Sequence, residues 1–141
     1  QSDRVKQLAN SMVRITGHLP DLSEVYNTAR VFVAPTRYAA GIPHKVHEAA
    51  ARGLPIVGTP LLASQLGWKD GDPFLVGDDA ESFARKCIEL HGNQELWEKL
   101  RQRAFDRVRS ECSIEQFEAS VKDCLTRTKT REYGINVGMD R

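Results

Sequence analysis

The sequence predicts an α/β fold, a mainly parallel sheet with helices on both faces. Three observations carry that reading. Val31, Phe32, Val33 and Ala34 form a continuous apolar run, and shorter runs sit within residues 55–59 and 73–77. Apolar runs without alternation suit strands covered on both faces. Between the first two runs lies a stretch with helical spacing, and further capped helical patterns follow the third. Strand, helix, strand at this spacing is a βαβ unit of Rossmann-like type.

The elements follow in chain order. Residues 12–16 (Met, Val, Arg, Ile, Thr) are rich in β-formers and stop at Gly17, which predicts a first strand. Asp21 and Glu24 have the spacing of a capping box, with Leu22, Val25, Tyr26 and Ala29 at helical intervals behind them, so 21–29 reads as a short helix. Strand 31–34 ends at Pro35. Residues 43–52 carry Val46, Ala49 and Ala50 on one narrow apolar face, with Gly53 as the stop and Pro55 just beyond. Strands at 55–59 and 73–77 come next. Asp78 and Glu81 predict a second capping box, followed by the stripe Ala80, Phe83, Ala84, Cys87 and Ile88 as far as Gly92. A longer helix after Asn93 carries Leu96, Trp97, Leu100, Ala104 and Val108. Ser113 with Gln116 starts another, with Ile114, Phe117, Val121, Cys124 and Leu125 on one side. The pattern fades after Thr126. The chain therefore divides into a domain at 1–129 and a tail at 130–141.

Composition narrows the function. The 141 residues are 40% hydrophobic and 28% charged, as in a soluble globular domain or a large piece of one. Lys plus Arg number 20 and Asp plus Glu 19, a net charge of +1, which leaves no electrostatic footprint for nucleic acid. No apolar run approaches the ~20 residues of a membrane span. Cys87, Cys112 and Cys124 are dispersed and odd in number, which points away from a disulfide framework or a metal site and towards the cytoplasm.

In an open α/β sheet, ligands sit beyond the carboxyl ends of the strands. The richest such loop is 35–43, Pro-Thr-Arg-Tyr-Ala-Ala-Gly-Ile-Pro, which feeds directly into a helix. Gly41 lets backbone approach a ligand closely. A helix start supplies free N–H groups and a favourable dipole for phosphate. His44, Lys45 and Glu48 lie on the side away from Val46 and Ala50. A lysine can neutralise phosphate, and a carboxylate one turn deeper can accept two bonds from ribose hydroxyls. The bland alternative is an exposed Lys45–Glu48 pair of small worth. His47 and His91 read as structural residues, and Trp68 and Trp97 as packing groups.

The wording of the segment sharpens this. Asp21-Leu22-x-x-Val25-Tyr26-x-x-Ala29-Arg30-Val31-Phe32-Val33-Ala34-Pro35-Thr36-Arg37-Tyr38, with Gly41-Ile42-Pro43-x-Lys45-Val46-x-Glu48-Ala49, resembles the donor-binding half of family 4-type glycosyltransferases of the GT-B fold. The resemblance runs over roughly residues 12–125 and is most specific at 31–59. It implies a retaining transfer of sugar from a nucleotide-sugar, which is the donor substrate; no separate cofactor is expected. In that family two glutamates flank a seven-residue gap. The second matches Glu48, with the implied role of holding the donor ribose. The first, which contacts the donor sugar, falls at Ala40. A variant loop of small residues is similar to the stretch from Tyr38 to Lys45. Gly41, Ile42, Pro43 and His44 are then the loop facing diphosphate or sugar, and His18 borders the base pocket.

The same resemblance implies that this chain is the latter part of a donor-binding domain, beginning at Gln1, and that its partner is the preceding portion of the enzyme. The strand at 31–34 would lack a sheet neighbour, and an open apolar edge invites self-association. As an isolated piece the chain is expected to be inactive. The alternative is a non-catalytic α/β module that binds a nucleotide or a partner protein.

Overall fold

The computed structural model describes residues 3–132, with side chains up to residue 127. The element order is α1 (Asp3–Lys6), α2 (Ser23–Thr28), β1 (Phe32–Val33), α3 (His44–Ala51), β2 (Ile56–Gly58), α4 (Pro60–Leu66), β3 (Lys69–Asp70), β4 (Pro73–Val76), α5 (Ala80–Gly92), α6 (Gln94–Glu111) and α7 (Ile114–Glu132). The four strands form one sheet in the order β1-β2-β4-β3, and every strand pair is parallel. Phe32 pairs with Ile56, and Val57 with Leu75. The chain has the α/β Rossmann-like fold.

Side chains alternate across β2 and β4, so each of these strands feeds two cores. On one face Ile56 and Phe74 meet Val46, Ala49 and Ala50 of α3, Leu62 of α4 and Ala104 of α6. On the other, Val57 and Leu75 meet Leu90 of α5 and Leu100 of α6. Helix α6 thus contributes to both cores.

The expected strand at 12–16 does not form. The Asn10 carboxamide oxygen accepts from the N–H groups of Met12 (2.8 Å) and Val13 (3.0 Å), which closes a turn there. Met12 is 92% exposed, so no apolar face rewards extension. The Asp21–Glu24 capping box is also absent. Asp21 accepts instead from the Ser23 N–H at 2.8 Å, and no side chain caps α2. The box expected at Asp78 and Glu81 forms one residue later, between Asp79 and Ser82. The Ser82 hydroxyl there reaches two backbone N–H groups, those of Asp78 and Asp79. Ile88 is 73% exposed, because Phe83, Cys87 and Leu90 hold the buried face of α5 and Ile88 lies about 100° round from Cys87.

Three elements went unread in the sequence: the single-turn helix α1, which buries no residue, helix α4 and strand β3. Helix α4 has Pro60 at its start and Gly67 in the left-handed region at its end, both ordinary helix punctuation. Strand β3 is a two-residue, charged edge of a kind that periodicity does not reveal. Helix α7 continues to Glu132, beyond the point where its pattern fades. The remainder of the expected tail, 133–141, lies outside the described residues.

Candidate functional site

The carboxyl ends of β1, β2 and β4 open on the same side, and Thr36 knots two of them to α3. The Thr59 hydroxyl donates to the Thr36 carbonyl at 2.7 Å, and Lys45 Nζ donates to Thr36 Oγ1 at 2.8 Å. Thr36 leads into the exposed loop expected to face a ligand. Gly41 has φ +90°, a conformation that favours glycine, and Gln65 Nε2 ties the loop down by donating to the Ala39 carbonyl at 3.1 Å. Ile42 is 68% exposed and His44 is exposed, whereas Pro43 is buried. No side chain caps α3, but backbone carbonyls take two of its first-turn donors: the His44 N–H donates to the Ile42 carbonyl and the Val46 N–H to the Pro43 carbonyl, both at 2.9 Å, which leaves the Lys45 N–H without a partner among the described residues.

Glu48 lies one turn along α3, half-exposed. Its partner is Arg52, at 3.5 Å, and not Lys45. Arg52 in turn lies over the Tyr26 ring, 5.0 Å from its centroid. Burial pushes the Tyr26 hydroxyl above its ordinary pKa, and the Glu48 carboxylate adds to the shift. Glu48 therefore faces α2, at the β1 edge of the sheet. His18 is exposed in the stretch before α2 and has no hydrogen bond or ion pair with the loop. His47 packs edge-on against Trp68, at 5.7 Å between centroids, and burial lowers its pKa. Trp68 itself is buried against Phe74, and the Trp97 indole N–H donates to the Arg30 carbonyl, so both tryptophans are packing groups.

Next to the loop lies a cleft of about 440 Å³ that sequence reasoning missed. Its walls are Thr36 and Arg37 after β1, Thr59 and Leu61 after β2, and Asp78 and Phe83 after β4. A second hollow, at Tyr38, Ala39 and Ala40, shares Arg37 and Leu61 with it. The signal that could have found the cleft was positional: each wall begins just past a strand's carboxyl end. Gly77 makes the close fit possible. A Cβ there would stand 2.4 Å from Phe83 Cα, so only glycine lets α5 start so near β4.

Among curated proteins, none matches the chain. The family model of glycosyl transferases group 1 matches residues 1–93, which takes in the whole sheet, the loop, the cleft and α5. A family whose members move sugars accounts for a parallel sheet with a ligand-sized cleft at its carboxyl edge, and the chain belongs to the group 1 glycosyl transferases.

Proposed function

We propose that the chain is the donor-binding half of a retaining glycosyltransferase of GT-B architecture, with a nucleotide-sugar as donor substrate. The observation that carries this reading is the start of α3, where the Lys45 N–H is open and the Lys45 ammonium lies alongside, fed by the Gly41 loop at the carboxyl end of a parallel sheet. Gly41, Ile42, Pro43 and His44 shape the diphosphate side of the site. Pro43 is buried and has no N–H, so it positions the turn and donates nothing. Lys45 supplies the cation, and Glu48, half-exposed beside Arg52 and the Tyr26 hydroxyl, takes the ribose hydroxyls. His18 borders the base. The functional domain is 1–129, and a cytoplasmic location belongs to the same proposal.

Transfer requires donor and acceptor to be held in line, which can supply ~7–11 kcal/mol of barrier reduction. We assign the acceptor to a facing half, so the isolated chain transfers no sugar. Turnover of a nucleotide-sugar by the purified chain would refute that assignment.

The test of the donor site is calorimetric titration with UDP and GDP. A charge-assisted bond to a hydroxyl is worth about 1.5–3 kcal/mol, so Glu48→Gln should weaken binding by about one to two decades at unchanged melting temperature. Equal affinity of wild type and variant would remove Glu48 from the site.

A second reading, a partner-binding module, is favoured by the edge of β1. The Phe32 and Ala34 N–H groups point to β2, which leaves the Val33 backbone facing outward. An apolar groove of Val25, Ala29, Val31 and Val33 lies alongside. The occupant we assign to that edge is a second copy of the chain.

A further inference from the structure

The cleft at the strand ends bears a charge of each sign, and neither is engaged. Arg37 stands on the β1 wall, and no hydrogen bond or ion pair among the described residues uses its guanidinium. Asp78 stands across from it, after β4. Its backbone N–H donates to Ser82 Oγ at 2.9 Å, but its carboxylate accepts from no described residue. The neighbouring Asp79 carboxylate is occupied, accepting from the Ser82 N–H at 2.7 Å.

This arrangement discriminates between ligand chemistries. An anion does not suit the Asp78 end. Two carboxylates sit there, and the N–H groups of Asp78, Asp79 and Ser82 are already bonded. A hydroxyl-rich, uncharged group does suit it, because an open carboxylate accepts two or more hydroxyl bonds. Leu61 and Phe83 line the space between with apolar surface, which fits the C–H face of a sugar ring. The other end has the opposite character. Arg37 is open there, and Lys45 is held nearby through Thr36 Oγ1, so two cations await an anion. A ligand that is anionic at one end and polyhydroxylated at the other is a sugar diphosphate, and about 440 Å³ is within the usual range for such sites.

We infer that Asp78 reads the hydroxyls of the transferred sugar and that Arg37 grips the diphosphate it is attached to. The inference rests on the nucleotide-sugar reading above and adds the sugar subsite to it.

The test is calorimetric titration of the full chain with UDP, GDP, UDP-glucose and GDP-mannose. At least one sugar conjugate should bind more tightly than its parent diphosphate. Asp78→Asn should weaken that conjugate about tenfold and leave the parent diphosphate unchanged, on the scale of one charge-assisted bond. Arg37→Ala should weaken both about equally, and Arg37→Lys should recover part of the loss. Both residues are exposed, so the melting temperatures of all three variants should match wild type. If Asp78→Asn affects conjugate and diphosphate alike, or neither, the sugar subsite is wrong and the donor-site reading stands. If no conjugate exceeds its diphosphate, the subsite is likewise wrong. If wild type binds none of the four probes, both readings fall.

Discussion

Gly77 has no room for a side chain. A Cβ at this position would lie 2.4 Å from Phe83 Cα and 2.6 Å from Phe83 N, both backbone atoms of α5. Gly77→Ala must therefore push the helix away from β4, at a cost of about 1–3 kcal/mol. At Gly58 the conflict is with the Phe74 ring edge at 2.6 Å, a side-chain atom rather than backbone. Chemical denaturation should rank Gly77→Ala as the more damaging change. His47 sets a pH dependence. Burial lowers its folded pKa below 6.5, against a smaller upward pull from Glu111 and with a further lowering by His44. The unfolded chain then takes up the proton first, so the stability associated with neutral His47 is intact above 6.5 and is lost as pH falls through the lowered folded value. Asp21 and Asp79 have lowered pKa values from a usual 3.8, so their stabilisation is lost only in a more acidic window. A melting series from about pH 7 to pH 5 should fall more steeply for wild type than for His47→Gln.

At the scale of elements, α6 and α7 carry similar apolar stripes and meet different fates. Leu100 of α6 is fully buried, whereas Phe117 of α7 is 70% exposed and Ile114 is 74% exposed. Burial and not periodicity decides their energetic worth. Leu100→Ala should cost about 2–5 kcal/mol, and Phe117→Ala should stay within about 0.5 kcal/mol. Equal losses in urea denaturation would mean that α7 packs in solution against something the described residues do not supply.

For the whole molecule, the order β1-β2-β4-β3 leaves β1 on one edge and β3 on the other. The β3 edge is short, and Lys69 and Asp70 are both exposed, which discourages pairing. The β1 edge is apolar and has Val33 49% exposed. Sedimentation velocity over a wide concentration range should show a dimer, and Val33→Lys should shift it to monomer. A monomer at every concentration would exclude a second copy as the occupant of that edge.

The sequence by itself determined the parallel α/β fold, because each of its main signals is local. The apolar runs at β1, β2 and β4 needed no partner to be recognised. The Val46, Ala49 and Ala50 face of α3 is buried as its spacing requires. The 35–43 loop leading into α3 was legible for the same reason, and residues 37–42 of it are exposed. Tertiary structure decided what depends on neighbours. Residues 12–16 have strand-forming residues but form no strand, since no sheet edge meets them and Asn10 takes the N–H groups of Met12 and Val13. Glu48 pairs with Arg52 one turn on along the same helix, whereas the packing of α2 beside α3 is what sets Arg52 over the Tyr26 ring and against Ser23. The cleft of Arg37, Thr59 and Asp78 joins residues about 20 positions apart in each step, and only the parallel order of three strands brings their ends together. A parallel sheet places every carboxyl end on one side, so residues with no local pattern in common become neighbours there.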